Sequence, residues 1–385
     1  MACEQLTRLG DVIELEDVKR EPISSRDRKD RKGSYPYYGA QGIVDYLDDY
    51  TYEGDYLLVA EDGENLRSRK NPIANAASGK FRVNNHAHVI AESEKCNLVF
   101  LRHLLNMTDI SAYVTGSTQP KLSQSNLCAM KLPLPSMAEQ NAIANVLSLF
   151  DRKIELNNQL NDYLLELVSS VFAYRFSNNV NTTELKNVLS ISTKALKPQE
   201  HAGEIWEHYS IPAFDENHRP VFEPASGIKS NKYQIDSECI LISKLNPSTK
   251  RIWMPYCSSN NAVCSTEFIV YRPYLKEYKS FYYAAIDSPG FTNYLLEHVS
   301  GSTGSRQRAQ PKDTLHYLMP NPSNEEIKNF CTFADPIYRH VQINEQQTAK
   351  LELLRDTLLP KLMSGEIDVS KIDLTQLTNN HLADY

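Results

Sequence analysis

The chain has 385 residues, 41% hydrophobic and 23% charged, a globular composition with room for two or three domains. The formal net charge is −7, so any nucleic-acid role requires positive charge that is concentrated locally or supplied by partners. No apolar run approaches a membrane span, the start MACEQLTRLGDVIEL lacks a signal-peptide pattern, and seven cysteines without a CxxC pair argue for reduced thiols in a cytoplasm rather than a zinc site or disulfide framework.

In chain order, LGDVIEL (9–15) opens a first unit, and RDRKDRK (26–32) is a mixed-charge run. DYLLVA (55–60) and HAHVIA (86–91) read as strands, and FLRHLLNM (100–107) reads as a helix. The polar loop VTGSTQPK (114–121) follows, then the step Pro133-Leu134-Pro135. About half a chain later the same order recurs. LKNVLSI (185–191) opens a second unit, ECILIS (238–243) lies over DYLLVA, STEFIV (265–270) over HAHVIA, and FYYAAIDS (281–288) over FLRHLLNM. VSGSTGSRQRAQPK (299–312) repeats the loop with six extra residues, Gly304 to Ala309, before Pro320-Asn321-Pro322. The period is too long for a solenoid, so the chain is a duplicated α+β domain.

Each copy ends in a long helical pattern, 136–176 and 323–363. Apolar residues recur at helical spacing through Ile143, Val146, Leu147, Phe150, Ile154, Leu164, Leu167, Val168 and Val171. Ser136 with Glu139 and Ser323 with Glu326 form capping boxes, Gly365 ends the second helix, and Asp151 marks a break in the first. A narrow stripe needs a partner, and each helix supplies one for the other. Asn157 and Asn344 fall at equivalent stripe positions, where a polar residue either sets register or faces solvent. The expected boundaries are 1–135 and 179–322 for the two globular domains, with helical segments 136–178 and 323–385.

No catalytic constellation is present: there is no Asn-Pro-Pro-Tyr, GxGxxG or Walker pattern, and EEIK (325–328) is a helix cap. His86 and His88 alternate on a strand without a neighbouring carboxylate or thiol in sequence and read as solvated, while Cys257 and Cys264 read as core thiols, so no metal site is expected. Binding chemistry remains. Arg67, Arg69, Lys70, Lys80 and Arg82 lie in the first unit; Lys244, Asn246 and Lys250 lie in polar loops of the second. Basic side chains hold phosphates, and Arg, Asn, Gln and Lys read base edges. A different class stays open: a non-catalytic scaffold of two α+β modules on a coiled-coil strut, with protein ligands.

The run TGSTQPKLSQSNLCAMKLPLPSMAEQNAIANVLSLFDRKIELNNQL resembles the end of a DNA target-recognition domain and the spacer helix that follows it in specificity subunits of type I restriction-modification systems. GKFRVNNHAHVI and YPYYGAQGIVDYLDDY resemble the body of such a domain, and ILISKLNP, STEFIV, VSGST and LLRDTLLPKLMSGEI extend the likeness to the second half. The resemblance implies a non-catalytic reader of a bipartite, asymmetric double-stranded DNA target. It implies two target-recognition domains on two antiparallel spacer helices, two methyltransferase subunits and restriction-translocase subunits as partners. This chain would bind no cofactor; S-adenosylmethionine, ATP and Mg would sit on the partners. By matching position it implies DNA contacts from Gly116, Ser117, Thr118, Gln119 and Lys121, and from Gly301, Ser302, Thr303, Ser305, Arg306, Arg308 and Lys312.

Overall fold

In the computed structural model, which describes residues 6–300 and 307–372, the apolar run of the first unit lies in the strand Tyr52–Ala60. Its unbroken hydrophobicity has a simple cause: both faces are covered. Leu57 and Val59 point into one core with Ile90, Phe100 and Leu104, while Leu58 points into another with Tyr52, Phe81 and Val89. The second unit repeats the arrangement. Ile240 and Ile242 of the strand Ile240–Ser243 enter one core with Tyr271 and Phe281, and Leu241 enters another with Phe268 and Val270.

The chain divides into two compact units, Met1–Ile154 with Lys350–Tyr385, and Glu155–Ala349. The first holds a six-stranded sheet in the order Glu14–Leu15, Ala87–Ala91, Tyr52–Ala60, Ala74–Val83, Lys32–Gly39, Gly42–Leu47. The second holds a four-stranded sheet, Leu189–Ser192, Phe268–Pro273, Ile240–Ser243, Ile252–Trp253, and a five-stranded one containing Ile205–Tyr209 and Ala262–Ser265. Each unit is also closed by a short antiparallel pair: Leu6–Arg8 on Lys131–Pro133, and Thr182–Glu184 on Leu318–Pro320.

Main-chain hydrogen bonds fix how the two copies correspond. Leu9 N donates to Met130 O, and Leu185 N to Tyr317 O; Leu122 N donates to Glu61 O, and Ala309 N to Lys244 O. Ala60 pairs with Ala87, and Ser243 with Phe268. Ala87 therefore matches Phe268, which places HAHVIA over Glu267–Arg272 rather than over STEFIV. This corrects the sequence register by two residues. A strand's side-chain period is two, so the slip leaves every residue on its proper face and is invisible to hydropathy.

The two long helices are continuous: Met137–Phe176 and Asn324–Met363, 40 residues each. Both capping boxes form: Ser136 N and Ser323 N bond to Glu139 and Glu326 at 3.0 and 2.8 Å, and both serine hydroxyls reach the same carboxylates at 2.7 Å. Asp151 is no break. Its carboxylate is held by Arg102, by His103 at 2.9 Å and by Arg355 at 2.9 Å, so the polar residue is satisfied without interrupting the helix. In the first unit Ile143, Val146, Leu147 and Phe150 of one helix and Leu351, Leu359 and Leu362 of the other share a core. In the second, Val168, Phe172 and Phe176 share one with Ile327, Phe330 and Tyr338.

Asn157 and Asn344 are buried rather than solvated. Asn157 Nδ2 donates to Gln347 Oε1 at 2.9 Å and Thr348 Oγ1 at 3.3 Å; Asn344 Nδ2 donates to Asn161 Oδ1 at 2.8 Å. Partner numbers fall along one helix as they rise along the other, which makes the pairing antiparallel. By the sequence correspondence Asn157 matches Asn344 and Asn161 matches Thr348, so this is one polar pair made twice. Leu167, assigned to the stripe by sequence, is exposed instead.

Candidate nucleic-acid interface

The first GST loop is a closed hairpin. Thr115 N donates to Lys121 O at 2.8 Å and Lys121 N to Thr115 O at 2.7 Å. Gly116 sits at φ +86°, and a Cβ there would lie 2.2 Å from the Gln119 carbonyl oxygen, so the turn requires glycine. Ser117, Thr118 and Gln119 form an exposed tip.

The segment after the central strand holds this loop from below. Gly63 N donates to Pro120 O at 3.1 Å. Arg67, on the short helix Asn65–Ser68, donates to Ser117 O at 3.0 Å and also to Gly116 O. Lys121 Nζ lies 3.1 Å from Glu61 Oε1. Glu61 in turn accepts from Arg20 at 2.6 Å, and Asp17 accepts from Arg20 at 3.2 Å. His88, fully buried, bonds Asp17 at 2.6 Å through Nδ1 and the Leu122 carbonyl at 2.8 Å through Nε2.

His88 is therefore a core residue in a charge network, not a solvated strand position. Its carboxylate partners come from distant parts of the chain. Asp17, Glu61 and His88 place ligand-type atoms within 4.8 Å of one another, and the Arg20 guanidinium supplies the compensating positive charge. Burial pushes the Glu61 carboxyl up, but hydrogen bonds from Arg20 and Lys121 outweigh it and hold the group below its ordinary value. Asp17 behaves likewise: burial is opposed by bonds from His88 and from Val89 N. Together these groups form a satisfied ionic network whose upper surface carries the loop. His86 is different: it is exposed and bonds Asp62 at 2.7 Å.

The second unit anchors its loop at the corresponding place with other residues. Val299 pairs with Ala309 and Ser300 with Arg308. Asn246 N donates to Gln307 O at 2.9 Å, with Asn246 at φ +48°. Ser300 and Arg308 take the places of Thr115 and Lys121, so the second loop (301–307 against 116–120) is two residues longer than the first, not six, and Lys312 is not the match of Lys121; Arg308 forks onto Glu267 at 3.1 and 3.3 Å. Gly301, Ser302, Thr303, Ser305 and Arg306 lie outside the described residues. Lys312 is exposed at the start of the helix Pro311–Thr314, and Lys244 is half-buried with its backbone in the loop stem.

The other basic residues singled out by sequence divide by environment. Lys70 is exposed, and Lys80 lies over the Tyr50 ring at 4.7 Å and 3.8 Å from Glu53. Arg82 is not on the surface: its side chain is 5% exposed and bonds Glu21 and Asp49 at 2.5 and 2.6 Å. Arg69, at φ +51°, turns inward to the carbonyls of Leu105 and Asn106 at 3.0 and 2.7 Å. Lys250 is tied to Asp287 at 2.6 Å. A basic residue next to a polar loop is a sequence signal for either role; only the folded neighbours separate them. Sequence reading missed Glu61, Asp17 and Arg20, although Glu61 directly follows the apolar run DYLLVA, where a charge marks the strand's exit.

Residues 5–166 match a family model described as the type I restriction modification DNA specificity domain. A putative type I restriction enzyme specificity subunit of Haemophilus influenzae is 37% identical over 139 residues, 36% of this chain and 35% of that one. The EcoprrI specificity subunit of Escherichia coli is 29% identical over 44% of this chain and 39% of its own length. The chain thus spans little more than a third of these two relatives. The MjaIX specificity subunit of Methanocaldococcus jannaschii is 22% identical over 82% of this chain and 80% of its own. Among solved structures, the S subunit of a type I restriction-modification system from M. genitalium shares the fold, with a TM-score of 0.57 and 20% identity, covering 93% of this chain and 95% of that one. Residues 5–166 thus match the type I restriction modification DNA specificity domain, and the chain as a whole shares the fold of a solved S subunit, with its duplicated unit and paired helices.

Proposed function

We propose that this chain is the DNA reader of a type I complex, each α+β unit reading one half of a bipartite target. One observation carries the reading. The same polar loop stands on the same main-chain stem twice, and each stem is closed by the same short strand pair before a capped helix. Two copies of one loop suit a target with two parts. The strand pairs support domain boundaries at 1–135 and 179–322. The segments that follow the central strands differ: RSRKNPIANAASGK in the first unit has no counterpart in NPSTKRIWMPYCSSNN in the second, so the half-sites differ and the target is not a palindrome.

In this reading Ser117, Thr118 and Gln119 meet DNA in the first unit, with Lys70 and Lys80 as flanking charges, and the Gly301–Lys312 segment serves the second. The paired helices are the spacer. The first presents Leu156, Leu160, Tyr163 and Leu167 to solvent at alternating four- and three-residue steps, with Tyr174 a full heptad beyond, a seam suited to a partner helix. This supports docking of two methyltransferase subunits there, with restriction-translocase subunits joining them. The chain itself performs no chemistry; S-adenosylmethionine, ATP and Mg belong to the partners. The acidic net charge fits, because partners complete the DNA clamp. Methylation mapping by long reads, with and without the gene, tests the proposal. A split, non-palindromic adenine-methylated motif that disappears with the gene is expected; a palindrome, or an unchanged methylome, rejects it.

A further inference from the structure

We propose that Lys121 is a positioning residue rather than a phosphate contact: with Glu61 it forms an ionic lock that sets the shape of the first recognition loop. This inference rests on the DNA-reading proposal for its functional meaning, but the lock itself is a property of the chain.

Three observations carry it. Lys121 closes the loop through its backbone in both directions, to Thr115 N and Thr115 O. Its ammonium reaches Glu61 at 3.1 Å, and Glu61 is only 13% exposed and already fixed by Arg20 at 2.6 Å. A carboxylate already paired with a half-buried arginine is a more rigid anchor, so the lysine pays less ordering entropy than in a surface pair between two mobile chains. Finally, the tip is fixed independently through Arg67 on the Ser117 and Gly116 carbonyls and Gly63 N on Pro120 O. Lys121 is thus paired with a carboxylate, and Arg67 commits its donors to main-chain carbonyls. What the loop leaves for DNA is its tip: the side chains of Ser117, Thr118 and Gln119.

The second unit reaches the same result with different chemistry. Arg308, the counterpart of Lys121, is held by Glu267. Glu267 corresponds to His86, not to Glu61, because Ser243 pairs with Phe268 where Ala60 pairs with Ala87. The basic residue after each loop meets a carboxylate, but one supplied from a different strand end. The same need met by unrelated pairs in the two units points to positioning as the common requirement.

The test has two arms. In the full chain, hydrogen exchange is followed at the Thr115 and Lys121 amides. In the complex with methyltransferase subunits, binding to the mapped target is measured across salt. Lys121→Met and Glu61→Gln are each expected to speed exchange at both amides about tenfold and to weaken target binding, leaving the slope of log K against log salt unchanged; Lys121→Arg is expected to restore both. Unchanged exchange in both variants overturns the lock. So does a slope reduced by about 1 in Lys121→Met, the signature of one lost phosphate contact. If the wild-type complex shows no preference for its target, the DNA-reading proposal fails, and the exchange arm alone decides the lock.

Discussion

Asp151 shows how a single charge is made useful inside a helix. Burial pushes its carboxyl up, but the hydrogen bond from His103, the charges of Arg102 and His103 and the hydrogen bond from Arg355 prevail and bring it down to about 2. A folded-state value below the ordinary 3.8 means that the stabilisation is complete above about pH 4 and is lost as pH falls towards 2. The shift corresponds to about 2 kcal/mol. Asp151→Asn is therefore expected to lower unfolding stability by roughly that amount at pH 7, and the gap between variant and wild type is expected to close as pH drops from 4 to 2. Urea unfolding at several pH values checks this. A gap that does not depend on pH in that window would show that Asp151 acts by shape and not by charge.

At the scale of elements, the helices joined by Asn157, Asn161, Asn344 and Thr348 make a stronger claim. All four are buried and form hydrogen bonds between the helices. Asn157→Ala leaves the Thr348 hydroxyl and Gln347 amide short of a partner and is expected to cost about 1–3 kcal/mol, read from the urea midpoint. Replacing all four together, Asn157→Leu, Asn161→Leu, Asn344→Leu and Thr348→Val, removes the polar requirement altogether. It is expected to keep or raise the midpoint while losing unique pairing, seen as mixed association states in sedimentation. A lone, well-defined species would show that register is set elsewhere. These helices were legible in sequence because everything that makes them is local: the 3.6-residue stripe, and serine and glutamate three residues apart. The strand pairing was legible only modulo two, hence the slip at HAHVIA. The His88 network was not legible, because its bond to Asp17 spans 71 residues and no local pattern brings the two together. For the same reason Arg67 and Arg82 looked alike in sequence, yet one faces the loop and the other sits in the core.

At the scale of the whole molecule, the duplication explains the economy of the design. One α+β unit, one loop stem and one capped helix are each used twice, and divergence is concentrated where the two loops and their neighbours differ. The account's central claim is that each unit reads its own half of the DNA target. The strand pair Thr182–Glu184 with Leu318–Pro320 closes the second copy, so the segment 185–317 can be exchanged for its counterpart from a type I specificity subunit that the chain resembles while the stem stays intact. Mapping the methylated motif of a strain carrying that chimera is the most direct test. The account predicts that one half of the motif changes and the other is retained base for base. A motif in which both halves change, or in which neither does while methylation continues, would contradict it.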